Sequence, residues 1–364
     1  MNRFTVVAGT AAVVAVTAAG VTFAARSGGT DGAGGARDRA SSQATAGTDG
    51  NTDGTGSGTG SSGSAYYAGS LNGRNEVPAS GGPAVGDKDG KAIAFLRVQG
   101  DKVSFALKYR GIAAPTAAHV HQGGKGADGD VKIPLLREKK PADGRTSVSG
   151  TVSGTVTVKD RQLLKDLASH PNGFYFNVHT GEFPGGAVRG QVHKLSRSLT
   201  MDAAATARNS FQASVTRGSQ IYACTRRPGG GYAFTQNDVR ARLGGGIAHS
   251  FTRPAGPPRW VAPDGSAVTG EVVSKTPNGT GNIPELDLRA TRSATTRPDD
   301  SRASATRPAD TRASASRTDG LLADTAEILR LNTVGGAAPT GACDPARQPT
   351  IAVPYEADYL FVGK

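Results

Sequence analysis

A chain of 364 residues with only 37% apolar and 5% aromatic residues, and with 51 glycines, is too poor in core-forming side chains to be one compact globule throughout. Part of it is expected to stay unfolded, and the remainder suffices for about two domains. The net charge of +12 is scattered except over residues 289–317, where seven arginines face three aspartates, and no basic run is interleaved with aromatics, so nucleic acid is not expected as a partner.

The chain opens with Met1-Asn2-Arg3, followed by an uncharged, Val- and Ala-rich stretch over residues 4–25 that Arg26 ends. Residues 1–26 therefore read as a signal peptide or an N-terminal membrane anchor, long enough to span a bilayer. Val16-Thr17-Ala18 has the small-residue spacing of a cleavage site, and the lack of a following cysteine excludes a lipoprotein. Residues 27–64 are mostly Gly, Ser, Thr, Asp and Ala, which bury no apolar surface and are expected to form a flexible, disordered tether. The expected location is secreted or anchored on the outer side of the cytoplasmic membrane, with membrane contact only through this N-terminal segment.

Residues 65–196 form a first, β-rich domain. The run 91–98 has strand character, and Val103, Phe105, Leu107 and Tyr109 alternate with polar or small residues, the period of a strand with one buried face. Gly100-Asp101 between them reads as a hairpin turn. Residues 148–158 alternate again. Leu163, Leu164 and Leu167 share one face of a short helix from about 160 to 169, stopped by His170-Pro171-Asn172-Gly173. Residues 174–179 and 187–195 are further strands.

A second β-rich domain spans residues 207–364, with strands expected at 220–225, 267–273, 285–289 and 355–362. Within it, residues 290–318 hold a low-complexity repeat of Arg, Ala, Ser and Thr with no apolar face, expected to be a disordered insertion. Cys224 and Cys343 are an isolated pair without a CxxC spacing, which in an exported protein reads as one disulfide; two buried thiols are the alternative.

Four histidines are the candidate chemistry. His119 and His121 are two apart on an expected strand, so their rings share a face; His179 lies on another strand and His193 near the end of the last. Imidazoles suit Zn²⁺ or Cu²⁺, and His119, His121, His179 and His193 are the candidate ligands. The alternative is structural: rings bonded inside the fold and fixing turns, with Glu76 or Arg189 as partners. His170 and His249 read as turn residues, and Trp260, Tyr355 and Tyr359 as packing. Asp87-Lys88-Asp89-Gly90 and Asp128-Gly129-Asp130 are acidic turns without the spacing of a calcium loop. The glycine triplet at 124, 126 and 129 precedes a strand rather than a helix, so it offers no phosphate cradle. No nucleophile, metalloprotease or Walker motif occurs, and no catalytic residue is assigned; a non-enzymatic protein is expected.

Four stretches carry a family likeness: Leu71-Asn72-Gly73-Arg74-Asn75-Glu76-Val77-Pro78; Pro115-Thr116-Ala117-Ala118-His119-Val120-His121-Gln122-Gly123; residues 129–135; and Phe176-Asn177-Val178-His179-Thr180 followed by Phe183-Pro184-Gly185-Gly186-Ala187-Val188-Arg189-Gly190-Gln191. Over about residues 67–195 the chain resembles the CHRD (chordin) domain family, departing from it at Ala187, where members often carry an acid. The resemblance implies an extracellular, Ig-like β-sandwich and no particular activity. Residues 207–364 resemble an uncharacterised domain of exported bacterial and fungal proteins through 218–224, 260–270, 332–336, Cys343 and 353–359. The expected fold class is mainly β. The expected function is an exported, non-catalytic binding or structural protein of the envelope or extracellular space, with another extracellular protein or a cell-wall polymer as partner. The alternative is a Cu- or Zn-binding, redox-active protein using the histidines.

Overall fold

The structure is a computed structural model that describes residues 63–137, 148–196, 202–293 and 320–364. Residues 1–62, which hold the leader and all but the end of the tether, all but the first four residues of the repeat at 290–318, and the stretches 138–147 and 197–201 lie outside the described residues. Among the described residues no helix is long and apolar enough to cross a membrane.

The first domain is a nine-stranded antiparallel sheet. Its strands are β1 (Ala65–Asn72), β2 (Lys91–Gln99), β3 (Lys102–Ile112), β4 (Ala117–Gln122), β5 (Val131–Leu136), β6 (Val148–Thr157), β7 (Phe174–His179), β8 (Val188–Gln191) and the short β9 (His193–Lys194). The hydrogen-bonded order is β5-β4-β7-β8-β1-β2-β3-β6, with β9 also on β1. In place of the two separate sheets of an Ig-like sandwich, pairing runs unbroken through one sheet that curls until its end strands β5 and β6 touch. The curl closes around Tyr67, Leu71, Leu96, Phe105, Leu107, Val120, Ile133 and Phe176. The expected hairpin at Gly100 is present, with Gly100 at φ 61°. The expected helix, α1 (Arg161–Ser169), is capped by Asp160, whose carboxylate accepts from Leu163 N at 3.0 Å, and it lays Leu163, Leu164 and Leu167 on the same core.

The second domain is a closed antiparallel barrel of eight strands: β10 (Phe211–Arg226), β11 (Tyr232–Leu243), β12 (Ala248–Phe251), β13 (Pro258–Val261), β14 (Ala267–Thr276), β15 (Glu285–Arg292), β16 (Thr325–Gly335) and β17 (Thr350–Gly363). Pairing of β10 with β17 closes it and leaves no edge strand. The four expected strands fall inside β10, β14, β15 and β17; the other four were not anticipated. Trp260, Tyr355 and Tyr359 are buried inside, as their reading as packing residues required, with Phe361 beside them. Cys224 on β10 and Cys343 in the loop before β17 form the expected disulfide, Cα–Cα 5.9 Å.

Both domains lie within one compact unit, residues 60–364, and share an apolar layer. The outer face of the sheet contributes Tyr66, Ala68, Ile93, Phe95 and Ala106; the outer face of the barrel contributes Leu329, Leu331, Leu360 and Val362. A short helix, α2 (Ala203–Asn209), fills the rest with Ala203 and Ala207, small enough for close approach. Burial on both faces explains why β1 reads as a nearly continuous apolar run rather than an alternating one.

Beside this layer lies a buried carboxyl pair. Glu327 on β16 is fully buried; its Oε1 accepts from Ser196 N at 2.8 Å and from Ser196 Oγ at 3.1 Å. Its Oε2 and Oδ1 of Asp287 on β15 are buried without a donor, which a proton shared between the two carboxyls supplies. Burial first, then the hydrogen bond and charge of Asp287, push Glu327 up to about 8 from an ordinary 4.5, and burial raises Asp287 as well. The folded chain thus holds a proton that the unfolded chain releases between pH 4.5 and about 8, so this group's contribution falls as pH rises through that window and is constant above it. Glu327→Gln, whose amide donates at every pH, is expected to raise Tm at pH 8 by about 5 °C, on the order of 2 kcal/mol, and to leave pH 5 nearly unchanged. Thermal melts from pH 5 to 8 that run parallel for the two proteins would show the pair carries no such proton.

Candidate functional site

In β4, Ala118 and Val120 turn into the core, so His119 and His121 face outward together, as period two requires. Pairing with β7 sets His119 opposite Asn177 and Ala117 opposite His179, which makes His179 the diagonal neighbour of His119. The three rings converge: one ligand nitrogen from each of His119, His121 and His179 lies within 4.8 Å of the others. His119 Nδ1 and His179 Nε2 are 3.1 Å apart. Two imidazole nitrogens on a tetrahedral Zn²⁺ stand about 3.3 Å apart, so this pair is already at ligand spacing and the widest pair needs to close by about 1.5 Å.

Backbone carbonyls hold the outer nitrogens. His121 Nδ1 is 2.9 Å from Gly129 O, and His179 Nδ1 is 3.0 Å from Pro184 O. These bonds take the Nδ1 protons and turn the Nε2 lone pairs inward, the arrangement that fixes tautomers at metal-binding histidines. His121 Nε2 is buried and has no hydrogen-bond partner. Burial, and then the neighbouring rings of His179 and His121, lower His119 to about 4; burial also lowers His121. Neutral imidazoles are the ligand form.

The site rests on a second layer. The His121 ring stacks on Tyr175 at 4.8 Å, and the Arg189 guanidinium lies 3.5 Å from the Tyr175 centroid on β7. Arg189, 1% exposed, pairs with Asp128 at 2.9 Å and donates to Gly124 O at 2.9 Å and Ala127 O at 2.7 Å, fastening the loop that presents Gly129 O to His121. A side chain at Gly129 would put its Cβ 1.6 Å from Gln122 O, so only glycine lets that loop close. Glu76 reaches Asn177 at 3.3 Å, and burial raises it to about 8 against the lowering effect of Arg189. The expected structural partners are therefore different ones: Glu76 holds Asn177 and Arg189 holds the loop, while carbonyls hold His121 and His179. The turn around Asp128 is tied down by Arg189 rather than merely solvated.

His193 lies apart from the trio. On β9 it faces the barrel, with Nε2 3.5 Å from Glu285 Oε2. His170 is a turn residue as expected, the C-cap of α1. His249 is not: it lies in β12, buried, stacked on Trp260 at 4.4 Å inside the barrel. The glycine triplet at 124, 126 and 129 leads into β5, as expected, and forms no phosphate cradle. Tyr175 was missed, although it alternates with Asn177 and His179 along the run 174–179 and so shares their face.

A curled antiparallel sheet with three converging imidazoles on its outer face, joined to a closed eight-stranded barrel, defines a mainly β protein of two domains. Residues 67–192 match the family of the CHRD domain, and residues 241–363 match the family described as Protein of unknown function (DUF3455). The second match begins at the end of β11, so β10, which closes the barrel, precedes it. No curated protein and no solved structure matched the chain.

Proposed function

We propose that this is an exported binding protein whose CHRD domain holds one Zn²⁺ or Cu²⁺ ion through His119, His121 and His179. The observation that carries the metal is the convergence of three imidazole rings, one with a buried, unpartnered Nε2, onto nitrogens within 4.8 Å of one another. Three nitrogens leave a fourth position open for water or a ligand from a partner. His193, held at Glu285 against the barrel, is left out of the ligand set. Export is supported by the uncharged leader and by the disulfide, a bond that persists in oxidising compartments. Metal content of the untagged chain from an oxidising compartment, measured by mass spectrometry, tests the reading. We expect about one zinc or copper per chain, lost in His119→Ala/His121→Ala with the fold kept. A metal-free protein whose double variant is only less stable would return these histidines to fixing turns.

A further inference from the structure

The barrel is not filled. Its interior holds a cavity of about 280 Å³ to which all eight strands contribute wall residues, far from the histidine trio and independent of it. An eight-stranded barrel is either packed solid or wide enough for one small ligand, and this one takes the second course. One part of the wall is apolar and aromatic, with Val239, Phe251, Trp260 and Leu288. The other part is rich in donors and contains no acid. Arg330 and Lys275 line the cavity, and no aspartate or glutamate does.

Three features of the donors point to an absent anion. Arg330 is 9% exposed and, among the described residues, forms no ion pair; its Nε and Nη2 donate to Pro284 O at 3.2 and 2.8 Å. A buried guanidinium without a counter-ion is costly. Trp260, 1% exposed, leaves Nε1 without an acceptor. Gln220, 2% exposed, accepts from Gln236 Nε2 at 3.0 Å through its Oε1, yet its own Nε2 is unpartnered. Both orphaned groups are donors on residues that line the cavity, and indole N–H can do nothing but donate. His249 donates from Nδ1 to Arg259 O at 3.0 Å; burial lowers it to about 3, so it adds no positive charge to those of Arg330 and Lys275.

We infer that the barrel cavity binds a small organic anion built on a single ring, its ring against the aromatic wall and its carboxylate satisfied by Arg330, Gln220 Nε2 and Trp260 Nε1. The cavity is too small for a lipid chain or a sugar oligomer, and a ring carboxylate matches both halves of its lining.

Trp260 is the only tryptophan in the chain, so its fluorescence reports on this cavity alone. The full chain is titrated with sodium benzoate at constant ionic strength, with benzyl alcohol and benzylamine in parallel. We expect a saturable, single-site change with benzoate and none with the alcohol or the amine over the same range. Arg330→Gln is expected to weaken benzoate at least 10-fold, and Gln220→Leu several-fold, with far-ultraviolet circular dichroism unchanged. Should Arg330→Gln fail to fold, Gln220→Leu and the exposed Lys275→Gln carry the comparison. An equal response to benzyl alcohol, no saturable response to benzoate, or folded variants that bind as the parent does would each overturn the inference. None of these readouts depends on the metal site.

Discussion

Arg189→Ala is expected to cost about 3 kcal/mol of stability and to weaken metal binding at the histidine trio by roughly 10–100-fold. The side chain is buried, yet it touches no histidine. It spans Tyr175 and the loop at 123–130, serving Asp128 and two carbonyls at once while lying flat on the ring that His121 stacks on. Without it Asp128, half exposed, can turn to water, but Gly124 O and Ala127 O lose their donor and the loop loses its anchor. Gly129 O then no longer fixes the His121 tautomer. Arg189→Lys is expected to recover little, because an ammonium cannot meet three acceptors in a planar fork or stack on a ring. Thermal melts give the first effect and competition with a metallochromic chelator the second. Unaltered metal affinity in a folded Arg189→Ala would show that the carbonyl of Gly129 holds its place unaided.

Phe95→Ala is expected to cost about 4 kcal/mol, at the level of a buried aromatic truncated in a core. Phe95 belongs to the sheet, is 1% exposed, and sits in the layer formed with Leu360 and Val362 of the barrel. Since that layer is shared, the loss should be felt in both domains. Trp260 lies in the barrel and reports its melting, while circular dichroism reports the whole chain. We expect both midpoints to fall together in Phe95→Ala. A Trp260 transition left in place while circular dichroism shifts would mean the barrel melts on its own and the shared layer is a weak contact.

Part of the first domain was legible because period two marks its strands: apolar residues alternate at 103–109, and the histidines at 119 and 121 were bound to share a face. What period two does not contain is which strand lies next to which. His179 joins the trio through the register of β4 with β7, and His193 leaves it because β9 turns to pair β1 beside the barrel. Continuity of the sheet, in place of a sandwich, is likewise a matter of pairing. The barrel was harder for a different reason. Its interior carries Gln220, Gln236, His249 and Arg330, so β11 and β12 lack an apolar stripe. In β16, residues 325–331 are buried on both sides and show no stripe either. Polar residues at cavity positions read as loop, and His249 was misread for that reason.

The Cys224–Cys343 bond joins residues 119 positions apart and encloses the whole arginine repeat. A single nick anywhere between those cysteines therefore yields two polypeptides that still travel as one molecule. Both ends of the cut barrel remain zipped where β10 lies along β17, next to the bond. A cut there would leave the two pieces joined on a non-reducing gel and would appear only when a thiol is added.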